Sequence, residues 1–204
     1  MSEARQKALD AFLALIAEKG FAEVTLRDVR VGDSAVFGDL GHGLELAQHF
    51  VHENRIRQAA SSLGAAQYCI NEAVAYANQR VTWGRALSRN QGIQFPLVEL
   101  HTEAAMLRQL IRSTAASMDR QHHMEVTHLV AMCNYRANRL VCEAADRAMQ
   151  TCGGLGYSRH MPFEHIYRHH RRYRITEGSE EIQMRKVGQH LFGFRTATSK
   201  GQQP

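Results

Sequence analysis

The sequence predicts an all-α protein: a four-helix bundle preceded by a short helical arm and one strand or extended segment. Three observations carry that prediction. Apolar residues recur at steps of three or four over three long stretches, the period that lines one face of a helix. The 204 residues include only three prolines, one of them the last residue, so little interrupts a long helix. Hydrophobic residues make up 44% of the chain and charged residues 22%, a globular balance that argues against a disordered polymer. No run approaches the roughly 18 apolar residues of a membrane span. The opening MSEARQKALDAF carries acids and does not read as a secretory signal.

The elements follow in order. Residues 3–19 form an amphipathic helix in which Ala8, Phe12, Leu15 and Ile16 make one stripe and Gly20 supplies the stop. Residues 22–31 alternate loosely through Val24, Leu26, Val29 and Val31 and read as strand or extended chain. Gly32, Gly38, Gly41 and Gly43 punctuate a turn-rich connection. A long helix is expected over 44–79, with Ile56, Ala60, Leu63, Ala66, Ile70, Ala73 and Ala77 facing the core. Small residues crowd its first half, which permits close helix approach or contact with a flat ligand. A second helix over 92–118 presents Ile93, Leu97, Leu100, Ala104, Leu107, Ile111 and Ala115. After a turn at 119–124, a third runs to about 149 through Val126, Val130, Ala137, Val141, Ala144 and Ala148. A last helix is expected over 178–191. The domain reading is therefore an arm over 1–21, a connection over 22–43, a bundle over 44–194 and a polar, disordered tail over 195–204.

Cys69, Cys133, Cys142 and Cys152 lack the two-residue spacing of a zinc or redox motif and read as reduced core thiols of a cytoplasmic protein. The net charge of +5 comes from 21 arginines and four lysines against 20 acids. Arginine forks suit phosphate and carboxylate, so nucleotides, coenzymes and nucleic acid all stay open as partners.

The most informative stretch is 150–183, QTCGGLGYSRHMPFEHIYRHHRRYRITEGSEEIQ. It offers a glycine turn through which backbone amides can approach a ligand, a cluster of cations, and a carboxylate in a Thr-Glu-Gly turn ahead of a helix. Taken singly, each part has an ordinary structural explanation: Gly153-Gly154 as a helix stop, Glu177 as a cap or dipole partner. The run RHHRRYR (168–174) reads as a solvated basic face at a turn, with coenzyme or intersubunit contact and nucleic acid as alternatives. His165 and His169, four apart, lack a nearby third ligand, so no metal site is expected. His122-His123 reads as a solvated turn pair.

These residues together resemble the C-terminal region of the flavin-dependent acyl-CoA dehydrogenases. CGGLGY, the basic segment and ITEGSEEIQ stand in that family's order. Upstream, Arg80-Val-Thr-Trp83-Gly84 is similar to the family's Arg-x-x-Phe-Gly signature, and Asn90-Gln91-Gly-Ile-Gln94 to the segment after it. VRVGDSAVFGDLGHGLELAQ (29–48) resembles the final strand of the family's middle β-domain and its exit into the bundle. The resemblance covers about 29–194.

It implies a bundle that assembles as dimers or tetramers around FAD. The equivalent of Arg80 reaches the flavin pyrophosphate, with those of Trp83 and Gln91 beside it, usually from a neighbouring subunit, and Gln150, Gly153 and Gly154 pack at its adenine end. Glu177 falls on the position of the catalytic base, which removes the α-proton of an acyl-CoA while the β-hydrogen leaves as hydride. Arg55 and Gly178 fall near the bound acyl-CoA. Some members keep the base on the first long helix, where this chain has Asn54, which cannot serve; Glu53 beside it points about 100° away. Ser179 replaces a common threonine near the flavin. Glu181 replaces a glutamine and adds an anion that needs arginine neighbours. An electron-transfer flavoprotein is the implied electron acceptor.

The resemblance also implies that the chain carries about half of a family subunit, so that turnover needs the missing domains from another polypeptide. Two alternatives stand beside this reading. One is a non-catalytic helical module that self-associates or caps a full-length dehydrogenase through an exposed apolar patch. The other rests on RQKALDAFLALIAEKGFAEVTLRDV, which resembles the opening of TetR-type repressors. That pattern stops at Val29, before any recognition helix, so nucleic-acid binding is a remote reading. The octamer AEVTLRDV suits both families and marks where two sequences would be fused.

Overall fold

The computed structural model describes residues 32–194, together with Gln6, Asp10, Ala11, Leu13, Ala14, Ile16, Ala17 and Glu18. Two compact units divide between His49 and Phe50. In the first, the eight described residues before 20 are helical; the expected strand over 22–31 and the rest of the arm lie outside the described residues, as does the tail after 194. A single 3-10 turn, Asp33–Ala35, precedes two glycine bends. Gly38 and Gly41 take φ of +79° and +86°, a region that costs most other residues strain. They lead into α1, Gly43–Gln79.

The second unit is the bundle. Its further elements are β1 (Val81–Thr82), β2 (Arg85–Ala86), α2 (Gln91–Met118), α3 (Thr127–Cys152), α4 (Gly154–Tyr157), α5 (Phe163–Arg171) and α6 (Glu180–Leu191). Helix α3 is its centre: 14 of its 26 residues are buried, against six of 28 in α2, so α3 is packed on several sides. Helices α1 and α3 run parallel in register, since Ser62 bonds Asn138 while Gln58 bonds Asn134. Fully buried small residues on both, among them Ala59, Ala66, Ala73, Ala137, Ala144 and Ala148, remove the bulk that would hold the two axes apart. Helix α6 runs antiparallel to α3: Glu180 at its start meets Arg139, and His190 near its end stacks on His128 with ring centroids 3.4 Å apart. The expected all-α bundle is the one observed.

Four readings of the sequence need correction. On α1 the buried residue is Ala59, fully enclosed, and Ala60 is exposed. On α2 Thr114 takes the inward place expected of Ala115, because its hydroxyl accepts the Cys133 thiol at 3.3 Å from α3. The basic run 168–174 is not a solvated turn. It completes α5 and a 3-10 turn, Arg172–Arg174. Phe163, wholly buried, and Ile166 seat α5 on the core, and that spacing carries His170 inward to 6% exposure. His123 likewise is half-buried, its ring 5.7 Å from that of buried His52, rather than solvated beside His122. All four cysteines are buried and free, as expected of core thiols.

Candidate functional site

The Thr-Glu-Gly turn before α6 is built from two successive left-handed residues, Glu177 at φ +59° and Gly178 at φ +92°. Such a conformation strains a glutamate and persists only where neighbours hold it. Arg55 of α1, 4% exposed, donates from Nε (2.9 Å) and Nη2 (2.5 Å) to the carbonyl of Glu177. Gln183, one turn into α6 and wholly buried, donates to the carbonyls of Glu177 (3.2 Å) and Gly178 (2.9 Å). A Cβ on Gly178 would meet Gln183 Nε2 at 3.1 Å and Arg55 Nη2 at 3.4 Å, so glycine is needed there for space as well as for φ. The Glu177 side chain is half-buried, and its Oε1 accepts from Asn54 Nδ2 at 2.5 Å. Arg57 Nη2 donates to Oδ1 of the same Asn54 at 2.8 Å.

Charge around this turn is mostly cationic. Burial draws the Arg55 guanidinium below its ordinary pKa, with the Glu177 charge opposing. Burial and then the Arg55 charge push the Lys186 ammonium down to about 8. Beyond the turn, Glu180 accepts a bidentate pair from Arg174 (both 2.8 Å) and a third bond from Arg139 Nε at 3.1 Å. Those bonds hold its carboxyl at about 2. Glu181 is exposed, and a bond from Ser179 lowers its pKa first, with Arg139 among the smaller causes.

The remaining sequence-predicted residues gather at the other end of the bundle. Strands β1 and β2 pair antiparallel, Val81 with Ala86 and Thr82 with Arg85. Trp83 (φ +53°) and Gly84 (φ +75°) close the hairpin, both positive as a two-residue hairpin turn requires. Trp83 is 99% exposed, an aromatic held clear of the core. Arg80 and Gln91 flank it and are exposed. Gln150, Gly153 and Gly154 close α3 at this same end: the α1–α3 register sets Cys152 beside the last turns of α1, and the Glu72 charge reaches its thiol. Gly153 has φ +60°, and a Cβ on either glycine would meet nothing within 4 Å, so the turn presents open backbone.

Two clusters result, and one chain does not bring them together. Arg55, Asn54, Glu177, Gly178, Ser179 and Glu181 sit at one end; Arg80, Trp83, Gln91, Gln150, Gly153 and Gly154 sit at the other. From Arg55 to Arg80 is 25 residues, about 37 Å along the helix.

Sequence reasoning missed several parts. The Arg139–Glu180–Arg174 group had no signal except that Glu180 stands first in the helix. A buried network joins α1, α3 and α5: Ser62 donates to Asn138 Oδ1 (2.6 Å), Asn138 donates to the Tyr173 carbonyl (3.0 Å), and His170 Nδ1 lies 3.1 Å from Ser62 Oγ. With the Ser62 proton on Asn138, His170 donates from Nδ1. Burial, then the charges of His169, Arg172 and His165, push it down to about 4. The Trp83-Gly84 pair was legible as a hairpin turn and was read only as part of a motif. An apolar patch also shows between α1 and α2, where Val74 and Val98, 42% and 56% exposed, line a groove of about 1070 Å³ with Ile70, Ile93 and Leu97. Among the described residues no helix is long and apolar enough to cross a membrane.

The model of the acyl-CoA dehydrogenase C-terminal domain matches residues 41–192. A probable acyl-CoA dehydrogenase, FadE2, of Mycobacterium tuberculosis is 32% identical over 168 residues, 82% of this chain and 41% of the relative. An acyl-CoA dehydrogenase of Bacillus subtilis is 32% identical over 171 residues, 84% of this chain and 45% of its own length. The crystal structure of butyryl-CoA dehydrogenase from Megasphaera elsdenii superposes with a TM-score of 0.73 at 28% identity, over 81% of this chain and 43% of that one. The chain thus spans less than half the length of each relative.

Proposed function

Because the chain belongs to the acyl-CoA dehydrogenase family, through that family's C-terminal domain, we propose that it supplies the base and half of the flavin cradle for α,β-dehydrogenation of an acyl-CoA. The observation that carries this reading is the held turn at Glu177. The backbone of Glu177 is held in a left-handed conformation by a buried arginine and a buried glutamine, which sets where its carboxylate side chain starts and so contributes the preorganisation that proton abstraction rewards. Glu177 takes the α-proton. Arg55 serves that step through the carbonyl of Glu177, and Gly178 keeps the backbone thin beside it.

The residues at the hairpin end suit FAD. An exposed arginine, an aromatic held 99% clear of the core and a glycine turn with open space over both Cβ positions offer a cation for pyrophosphate, a flat face and bare amides for an adenine. Arg80, Trp83, Gln91, Gln150, Gly153 and Gly154 would hold the cofactor there, and Ser179 and Glu181 would lie toward it from the base end. When bound there, FAD would supply the hydride acceptor that α,β-dehydrogenation needs. The separation of about 37 Å along α1 supports a cradle shared between copies, so a dimer or larger homo-oligomer is the working unit. The remaining walls of the cofactor and thioester sites belong to domains outside this matched region, and an electron-transfer flavoprotein is the proposed acceptor.

The apolar patch on α1 and α2 favours a second reading, a helical module that only self-associates or caps a dehydrogenase. Flavin separates the two. One FAD bound per purified chain, alone or after excess FAD, with a spectrum that bleaches on adding an acyl-CoA would make this chain a working dehydrogenase by itself. Glu177→Gln should keep the flavin and lose the bleaching. No bound flavin under either condition would leave the assembly module standing.

A further inference from the structure

We propose that Asn54 is a positioning residue for Glu177: its amide holds Oε1 and leaves Oε2 as the oxygen that takes the substrate's proton. The inference rests on the reading of Glu177 as the base.

Capture of the turn by Arg55 and Gln183 fixes backbone carbonyls only, which leaves the carboxylate free to rotate about its side-chain bonds. Among the described residues, the hydrogen bond on that carboxylate comes from Asn54, from Nδ2 to Oε1. The orientation of an asparagine amide is itself set by its other partner. Arg57 has donors and no acceptor, so it can bond only Oδ1 of Asn54, and Nδ2 must then face Glu177. Asn54 and Arg57 are three apart on α1 and share a face, so the helix enforces this pairing.

The chemical consequence follows from which oxygen is engaged. A proton on Oε1 would point at an N–H and cost that oxygen its hydrogen bond. Among the described residues, Oε2 has no such competitor. As the α-carbon's C–H bond breaks, its proton forms the O–H bond on Oε2. The electron pair enters the new C=C bond while hydride leaves the β-carbon for the flavin.

The test begins with the 204-residue chain, labelled with ¹⁵N-asparagine and titrated by NMR. One Asn54 side-chain amide proton should follow a single-carboxylate titration. Glu177→Gln, which keeps the shape, should abolish it. An Asn54 amide without a pH response, or one whose response survives Glu177→Gln, overturns the proposal. In the flavin-loaded chain Asn54→Leu should slow acyl-CoA bleaching about tenfold at saturation with the half-saturating concentration unchanged. An unchanged rate also overturns it. A wild-type chain that binds flavin and never bleaches, with the amide titration intact, refutes instead the dehydrogenase reading, and with it the catalytic use of this bond.

Discussion

Replacing Glu180 by glutamine keeps the shape of the side chain and removes the charge that Arg174 and Arg139 converge on. The folded carboxyl sits at about 2 against an ordinary 4.5. At about 1.36 kcal/mol per pH unit that difference is worth about 3 kcal/mol at neutral pH. The Glu180 side chain is 11% exposed, but its partners are 29% and 24% exposed, so water screens part of the attraction and about 2 kcal/mol is the working figure. The sign follows from a depressed acid. The stabilisation is complete above the unfolded value of 4.5 and is lost as pH falls through the folded value. Urea unfolding of Glu180→Gln should therefore show a deficit of about 2 kcal/mol at pH 7 that closes between about pH 5 and pH 2. A deficit of the same size at pH 2.5 would mean that packing, not charge, ties α6 to α3 and the 3-10 turn.

Three further outcomes are expected. Gly178→Ala puts a Cβ at 3.1 Å from Gln183 and a left-handed strain on alanine, so it should cost about 1–2 kcal/mol in urea unfolding and abolish acyl-CoA bleaching; full bleaching would show that the turn tolerates movement. His170 is buried with its pKa at about 4, below the ordinary 6.5, so the unfolded chain takes up its proton first and stability should drop as pH falls from about 6.5 toward 4. That window lies mostly above the one set by Glu180, and His170→Gln should flatten it; an unaltered slope would place the titrating group elsewhere. All four thiols are buried and pushed up, Cys69 to about 12, so a disulfide-exchange reagent should label them slowly at pH 8 and completely in urea. Rapid labelling of any one in the native chain would contradict its burial.

Much of the bundle was legible because leucine, isoleucine and valine at three- and four-residue steps leave a helix few ways to lie. Leu63, Ile70, Leu97, Leu107 and Val130 all face inward as their spacing demands. The reading slipped where the side chain carries little preference. Ala59 and Ala60 are alike to any pattern, and only the approach of α3 decides which is enclosed. Thr114 displaced Ala115 because a buried thiol offered its hydroxyl a partner, a fact held by another helix. The basic run misled for the same reason: arginine and histidine signal solvent, whereas Phe163 and Ile166, outside the run, set the face that buries His170. At the site, the resemblance of several motifs in register, rather than any residue alone, pointed to Glu177 and the glycines. What holds Glu177 is long-range. Asn54, Arg55 and Gln183 reach it across more than a hundred residues or from the next helix turn, and no local window contains them.

A helix that carries base-holding residues near one end and a cofactor arginine past the other has a genetic corollary on the proposed reading. Damage at Arg80 and damage at Glu177 fall on different composite sites of a mixed dimer. Two inactive chains, one with each lesion, would recombine so that one composite site inherits both defects and the other inherits neither. Such alleles would complement in the same cell, each lethal to activity alone, and dominance in a heterozygote would be capped by the sites that escape.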